Sequence, residues 1–302
     1  MARLTGRRAA AAITLASAAI VTAACSAGGA SANSPGSTTD VSARVRPEHI
    51  VEAPKNILAA AVPQPNGTLW VLAGNPVSRG LFELDPTSGQ VFGSVSVSSA
   101  VRSVAQAATG VIGLALGTDS TGALELLDGR TAKVIRTIPL SAPARDVMVG
   151  SDGTTFYVLT GWGSASSVAV VDSRDGRVRG TVPVPLEAVS IAPDVQQTTL
   201  YVLRRDGRVS EVSIAGGKVM ATFRVGDSGR ALTLSPDGAT LYALKGTDAA
   251  ANVAVVDVGT ESVRRVLPAP SHSLEVLVSA SGSQLYDVVG TVGYGNIQVF
   301  AL

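Results

Sequence analysis

Three arginines recur along the chain at multiples of one spacing of about 43 residues. Arg102, Arg145 and Arg230 each precede a short segment rich in Val, Ala and Leu, and Glu187 and Leu274 hold the equivalent positions in two further segments. A guanidinium is always charged and matches the geometry of carboxylates and phosphates. If these segments converge, the charged residues would surround one opening and concentrate a positive potential there. The spacing predicts a site for an acidic peptide, a phosphate or a carboxylated metabolite.

The same arginines have a second interpretation. They would pair with Glu187, Asp227 and Asp146 and simply seal the structure, in which case no ligand site forms. Aromatic residues in Gly-rich segments favour a binding surface, because Trp162 and Tyr294 lie close to glycines that are typical of loops. Exposed Trp and Tyr beside Arg are typical of interaction hot spots.

Residues for other chemistry are scarce. The chain has two His and one Cys, too few for a zinc or haem site. The segments that follow the arginines carry one acid, Asp146, where a calcium-dependent lactonase would need a cluster of oxygen ligands. We therefore expect no catalytic residues, no metal and no cofactor. Two alternatives stay open, a lactonase-like or hydrolase-like enzyme and an accessory protein of a quinoprotein or redox system.

A repeat of about 43 residues positions these side chains. A turn glycine recurs with this period at Gly67, Gly110, Gly153, Gly238 and Gly282, and Gln197 takes its place in a degenerate copy. A fixed period in this range indicates stacked or radial repeats. The repeats begin near residue 46 and continue to the last residue.

Each repeat has the pattern of four short strands. The fifth copy contains four runs of alternating or clustered apolar residues, starting at Ala231 and ending at Leu267, separated by turn residues. Alternation with period two between Gly, Pro, Asp and Ser is typical of strands. An aromatic residue marks the second strand of most copies, with Gly113 in its place in the second. The sequence predicts an all-β fold.

The last copy is one strand short. It ends at residues 295–302, which match a third strand, whereas residues 47–54 precede the first copy and resemble a fourth strand. Pairing of these two segments would close a ring and remove an unpaired edge. We predict a single β-propeller of six four-stranded blades over residues 45–302, with seven blades as the alternative.

The repeat resembles the YVTN-type β-propeller family, also called surface-layer or cytochrome-D1-like propellers. The matching residues are Ser-Pro-Asp-Gly-x-x-Leu-Tyr at 235–242 and Val-Ala-Val-Val-Asp at 168–172 and 253–257. The resemblance covers the chain after residue 45 and implies the fold more than a function. Members of the family often have seven blades, from which the count of six departs.

The N-terminus has the features of an export signal. A basic head is followed by an apolar run of 13 residues, Ala9–Val21, and then by Thr-Ala-Ala-Cys25. That run is too short to span a bilayer, and the end of the segment resembles a bacterial lipobox. We predict a lipoprotein signal peptide at 1–24, a lipidated Cys25 and a flexible Ser/Gly/Ala tether at 25–44. An ordinary secretory signal is the alternative.

The charge content of the chain bears on its partners. Charged residues make up 16% of the chain and the net charge is +1, without the basic patch of a nucleic-acid binder. We expect an exported monomer, anchored through its lipid to the outer face of the cytoplasmic membrane or the cell surface. Its propeller would act as a non-enzymatic scaffold that binds a protein or a small anion on the loop rim.

Overall fold

Short strands account for all the regular structure in the part of the chain that the computed structural model describes, residues 46–61, 68–163 and 165–302. Within these ranges, 24 strands form six antiparallel sheets of four. The prediction of an all-β propeller with six blades is confirmed, and the alternative of seven blades is wrong.

Blades 1 to 5 each consist of four consecutive strands, and the first strand of each blade lies innermost. Blade 1 contains β2 (Ile57–Ala61), β3 (Leu69–Gly74), β4 (Arg79–Leu84) and β5 (Val91–Val97), and blade 2 contains β6 (Val101–Gln106), β7 (Val111–Gly117), β8 (Gly122–Asp128) and β9 (Lys133–Leu140). Blade 3 contains β10 (Ala144–Val149), β11 (Thr155–Trp162), β12 (Ala165–Asp172) and β13 (Arg177–Pro183).

The second half of the chain continues this order. Blade 4 contains β14 (Ala188–Pro193), β15 (Thr199–Arg204), β16 (Arg208–Ser213) and β17 (Val219–Arg224), and blade 5 contains β18 (Gly229–Leu234), β19 (Thr240–Gly246), β20 (Ala251–Asp257) and β21 (Ser262–Ala269). Blade 6 contains β22 (Ser273–Val278), β23 (Gln284–Thr291), β24 (Tyr294–Ala301) and, as its outer strand, β1 (His49–Glu52).

Both ends of the propeller meet in blade 6. Strand β1 pairs antiparallel with β24, and the register places His49 opposite Val299 and Glu52 opposite Asn296. Val51 is buried in an apolar cluster that joins blade 6 to blade 1. The innermost strands contact one another in sequence and β22 contacts β2, so the ring is closed. The predicted pairing of the two ends is confirmed.

The marker residues of the repeat form turns and core, as expected. Gly153 and Gly238 adopt φ of 64° and 75°, and Gln197 in the degenerate copy adopts 56°. These values lie in the left-handed region that Gly enters without strain. Gly67 lies outside the described residues.

The aromatic residue of the second strand is buried between blades wherever the repeat supplies one. In blade 2 Gly113 replaces the aromatic residue, and this replacement has a physical explanation. A Cβ at Gly113 would lie 2.4 Å from Cε1 of Phe156, whose ring comes from blade 3. Phe156 thus fills the space that an aromatic residue of blade 2 would occupy.

The residues that the structure describes all belong to one compact unit. The predicted signal peptide, the tether and Cys25 lie outside the described residues, so these three expectations remain predictions. In the described part of the chain, no helix has the length and hydropathy needed to cross a membrane.

Candidate functional site: the mouth of the central channel

Every innermost strand carries a β-bulge directly after its first residue. In β6, for example, Val101 pairs with Leu116 and Ser103 pairs with Ala115, which leaves Arg102 between them without a partner. A bulge redirects the side chain of the extra residue. The six bulge residues surround one cavity of about 110 Å³ at the start of the inner strands: Leu58, Arg102, Arg145, Val189, Arg230 and Leu274. This cavity is the mouth of the central channel.

The structure therefore brings together the three arginines that the spacing selected. Each arginine is the second residue of its inner strand, whereas the sequence predicted that it would precede the strand. The predicted fourth charged member, Glu187, does not take the equivalent position, which belongs to Val189. Glu187 is exposed in the preceding turn with φ of 60°. The spacing alone misplaces this member by two residues, because the bulge of β14 is defined only by its pairing with β15.

Arg145 is held by its own blade. Its guanidinium carbon lies 3.9 Å from the centroid of the Trp162 ring, and its Nη1 donates to the carbonyl of Gly161 at 3.2 Å. Burial lowers the pKa of Arg145, whereas the neighbouring Asp146 opposes that change. Stacking on Trp162 orients the charge of Arg145, which forms no ion pair with a residue that the structure describes.

Arg230 forms the one close ion pair among the three arginines within the described ranges. Its Nη1 lies 2.5 Å from Oδ1 of Asp248, in the loop between β19 and β20. This contact holds the pKa of Asp248 below its usual value. Of the three acids expected to seal the ring, Asp227 pairs with Arg224 instead, and Glu187 forms no ion pair with a described residue.

Arg102 is exposed and forms no ion pair with any residue that the structure describes. A second arginine lies near it. Arg79 is 8% exposed, and its Nη1 donates to the carbonyl of Val101. Burial lowers the pKa of Arg79, and the positive charge of Arg102 lowers it further. Arg79 and Arg102 thus place two positive charges between blades 1 and 2, without a paired carboxylate among the described residues.

Trp162 and Tyr294 are both exposed, at 58% and 47%, and both lie beside hairpin turns on the face that carries the mouth. They belong to blades 3 and 6, which stand opposite each other in a ring of six. The structure therefore places the two aromatic residues on one face but not in one site. Trp162 contributes to the mouth through Arg145, and Tyr294 lies apart from it.

A polar layer lies directly below the arginines. Asp146 is 8% exposed, and its carboxylate accepts hydrogen bonds from Ser103 Oγ at 3.1 Å and Ser190 Oγ at 3.0 Å. The backbone N–H groups of Val147 and Ile191 donate to it as well. Burial nevertheless raises the pKa of Asp146. The three side chains link the inner strands of blades 2, 3 and 4.

A second acid, Glu275, lies in this layer and was not among the predicted site residues. It occupies the same strand position as Asp146, and its Oε2 accepts a hydrogen bond from the backbone N–H of Ala60 at 2.9 Å. Burial raises the pKa of Glu275 to about 8, and the negative charge of Asp146 contributes to the rise. The repeat period could have revealed it, because Glu275 lies one period after Ala231 in the inner strand.

Within residues 46–61, 68–163 and 165–302, no group of three or more His, Cys, Asp and Glu side chains could hold a metal ion. The expectations of no metal, no cofactor and no catalytic residue stay predictions.

Comparison with known proteins bears on the fold. No protein-family model matches the chain, and a search of curated proteins gives no match. Among solved structures, the chain is similar to Kuenenia stuttgartiensis hydrazine synthase. The TM-score is 0.61 at 14% identity, over 83% of this chain and 77% of that one. A likeness at this identity shows a shared propeller-like fold and carries no activity over to this chain.

Proposed function

We propose that this protein is a cell-envelope lipoprotein whose propeller captures an anionic ligand at the mouth of its central channel, without catalysis. The observation that carries the proposal is the convergence of Arg102, Arg145 and Arg230, from three different blades, on one opening. A ring of cations around a narrow opening focuses positive potential and favours an anion there.

The balance of charge at the mouth supports this proposal. Asp248 offsets Arg230, whereas Arg102 has no ion-pair partner among the described residues and Arg145 is stacked on Trp162. Glu275 below the mouth subtracts little charge near neutral pH, because burial raises its pKa to about 8. The mouth therefore keeps a net positive charge near neutral pH.

The envelope location rests on the N-terminal sequence. The basic head, the short apolar run and Cys25 together resemble a lipoprotein signal, and the tether that follows would hold the propeller away from the membrane. The resemblance to YVTN-type repeats accords with an extracytoplasmic propeller. Mass spectrometry of the purified protein tests the anchor: we expect an N-terminal Cys25 carrying lipid, and Cys25→Ala should release the protein from the membrane fraction.

A hydrolase-like enzyme is the second candidate, favoured by one observation, the two carboxyl groups of Asp146 and Glu275 in the channel. Asp146 accepts four hydrogen bonds from the protein, which suits a structural acceptor better than a general base. An accessory role in a redox system remains a third alternative without a structural observation in its favour.

A thermal-shift screen tests the binding proposal. The mature protein in mild detergent would be screened against inorganic phosphate, pyrophosphate, citrate and an acidic peptide, together with a variant in which Arg102, Arg145 and Arg230 are all Ala. We expect at least one anion to raise the melting temperature of the wild type and to have no effect on the variant. An identical response from a folded triple variant would reject the proposal.

A further inference from the structure

A second cavity opens at the other end of the central channel, on the face away from the arginines. Its volume is about 340 Å³, and the ends of the inner strands and the turns that follow them line it. Small and apolar residues dominate this lining, among them Ala61, Met148, Pro193, Leu234, Leu277 and Val278. Cavities of this size and character are typical of small-molecule sites. We call it the apolar funnel.

Glu275 is the charged group at the inner end of the apolar funnel. It lines both the funnel and the mouth cavity, so its carboxyl group lies where the two halves of the channel meet. Oε2 accepts the N–H of Ala60, and this is the hydrogen bond that the carboxyl group makes within the described residues. Solvent reaches part of the side chain although protein surrounds it. One acceptor oxygen is thus available to a molecule in the channel.

Acidic and basic groups lie on different sides of Glu275. Asp146 of β10 lies across the channel and repels a negative charge on Glu275, and Asp287 is buried in the neighbouring strand β23. The three arginines of β6, β10 and β18 border the mouth cavity on the other side. Asp194 lines the funnel near its outer end. An ammonium group at Oε1 would compensate the charge of Glu275 and reduce its repulsion with Asp146.

We propose that the apolar funnel binds a small amphiphile with a primary ammonium head, which donates to Glu275 Oε1, and a short hydrocarbon body, which packs against the apolar lining. The funnel site does not depend on anion binding at the mouth, although Glu275 also borders the mouth cavity. Burial of the hydrocarbon body supplies the binding free energy, and the charge-assisted hydrogen bond selects the head group.

Binding of an ammonium should depend on pH. Because the pKa of Glu275 is raised to about 8, the carboxyl group carries a proton at pH 7 and must release it to pair with a cation. Affinity should therefore rise about tenfold between pH 7 and pH 9, while an alkylammonium is still charged. An alcohol with the same hydrocarbon body would show no such rise.

Isothermal titration calorimetry with three matched probes tests the proposal. Hexylammonium, 1-hexanol and hexanoate share one hydrocarbon body and differ in the head group. We expect hexylammonium to bind the wild-type protein more tightly than the other two at pH 9. Glu275→Gln should weaken it at least tenfold and remove the pH dependence. Arg130→Ala, at an exposed arginine that lines neither cavity, is the control and should leave hexylammonium binding unchanged.

The proposal is overturned if hexylammonium does not bind at millimolar concentration, if hexanol or hexanoate binds as tightly, or if Glu275→Gln leaves the affinity unchanged. Should that variant fail to fold, carbon NMR of the wild-type carboxyl groups decides the question. Addition of hexylammonium must lower the pKa of Glu275, and an unchanged titration would contradict the proposed contact.

Discussion

Arg145 and Trp162 form a cation–π pair at the channel mouth, with 3.9 Å between the guanidinium carbon and the ring centroid. The two residues come from neighbouring strands of blade 3, β10 and β11. The indole ring of Trp162 therefore fixes the direction of the Arg145 guanidinium, which lines the mouth. Trp162, which the sequence predicts to be an exposed aromatic contact, thus has Arg145 as a defined structural partner.

We expect Trp162→Ala to lower the free energy of unfolding by about 0.5–1 kcal/mol, the range for a cation–π pair that is partly exposed. In an Arg145→Ala background the same change should cost almost nothing, because the pair is already broken. Urea unfolding of the four proteins gives the coupling energy. Val292→Ala, at a turn residue that is 94% exposed, is the control, and equal losses in both backgrounds would contradict the pairing.

Because β1 closes the ring, truncation of its adjacent residues Val51 and Ile50 should lower the stability of the protein to different extents. Val51 is 1% exposed and opposite Ile297, whereas Ile50 is 51% exposed. Val51→Ala should destabilise the protein by about 2 kcal/mol through loss of packing between blades 6 and 1. Ile50→Ala should stay within about 0.5 kcal/mol of the wild type. Chemical denaturation measures both, and a larger loss at Ile50 would mean that β1 does not pair as described.

Asp287 makes stability fall as pH rises. Its side chain is buried, Oδ1 has no hydrogen-bond partner among the described residues, and burial raises its pKa to about 7. The folded protein therefore holds this proton more tightly than the unfolded chain does. Between about pH 4 and pH 7 this group should remove roughly 4 kcal/mol of stability.

Asp287→Asn should abolish that loss and should be more stable than the wild type at pH 8. Asp119→Asn, at an exposed loop residue, is the control and should follow the wild-type profile. Denaturation at a series of pH values gives the comparison. Parallel profiles for the wild type and Asp287→Asn would contradict a buried carboxyl group with a raised pKa.

Gly113 should tolerate no side chain. A methyl group there would overlap the Phe156 ring, so Gly113→Ala should cost about 1–3 kcal/mol by overpacking. Phe156→Leu in the same chain should recover part of the loss. Gly93→Ala is a matched control in β5, because nothing lies within 4 Å of the added Cβ and its φ is not positive. Thermal unfolding that shifted equally at both glycines would show that Phe156 does not fill this space.

The local repeat made the fold predictable. Turn residues such as Asp237 and Gly238, an apolar alternation and a fixed period all belong to one blade, and each recurs often enough to be recognised. The pairing of residues 49–52 with 296–299 followed from the count of strands, because the last copy lacked one strand and an open ring would leave an unpaired edge. The long-range partner of Gly113 could not be predicted, since Phe156 departs from the repeat in another blade.

The site was predictable only in part. The spacing located Arg102, Arg145 and Arg230, but their β-bulges depend on hydrogen bonds between strands, which no local pattern reveals. Glu187 was predicted to be equivalent to the three arginines, because a shift of two residues cannot be seen without the pairing of β14 and β15. The acid partner of Arg230, Asp248, lies in a loop of variable length, where the repeat gives no alignment.

Calorimetry at the mouth tests the central claim most directly. Citrate is titrated into the wild type, into Arg102→Ala and into Arg130→Ala, whose exposed arginine lies on the opposite face. We predict measurable binding to the wild type, at least a fivefold loss in Arg102→Ala, no change in Arg130→Ala, and weaker binding as salt rises. Equal affinities for all three proteins, or binding that salt does not affect, would contradict an anion site formed by arginines from three blades.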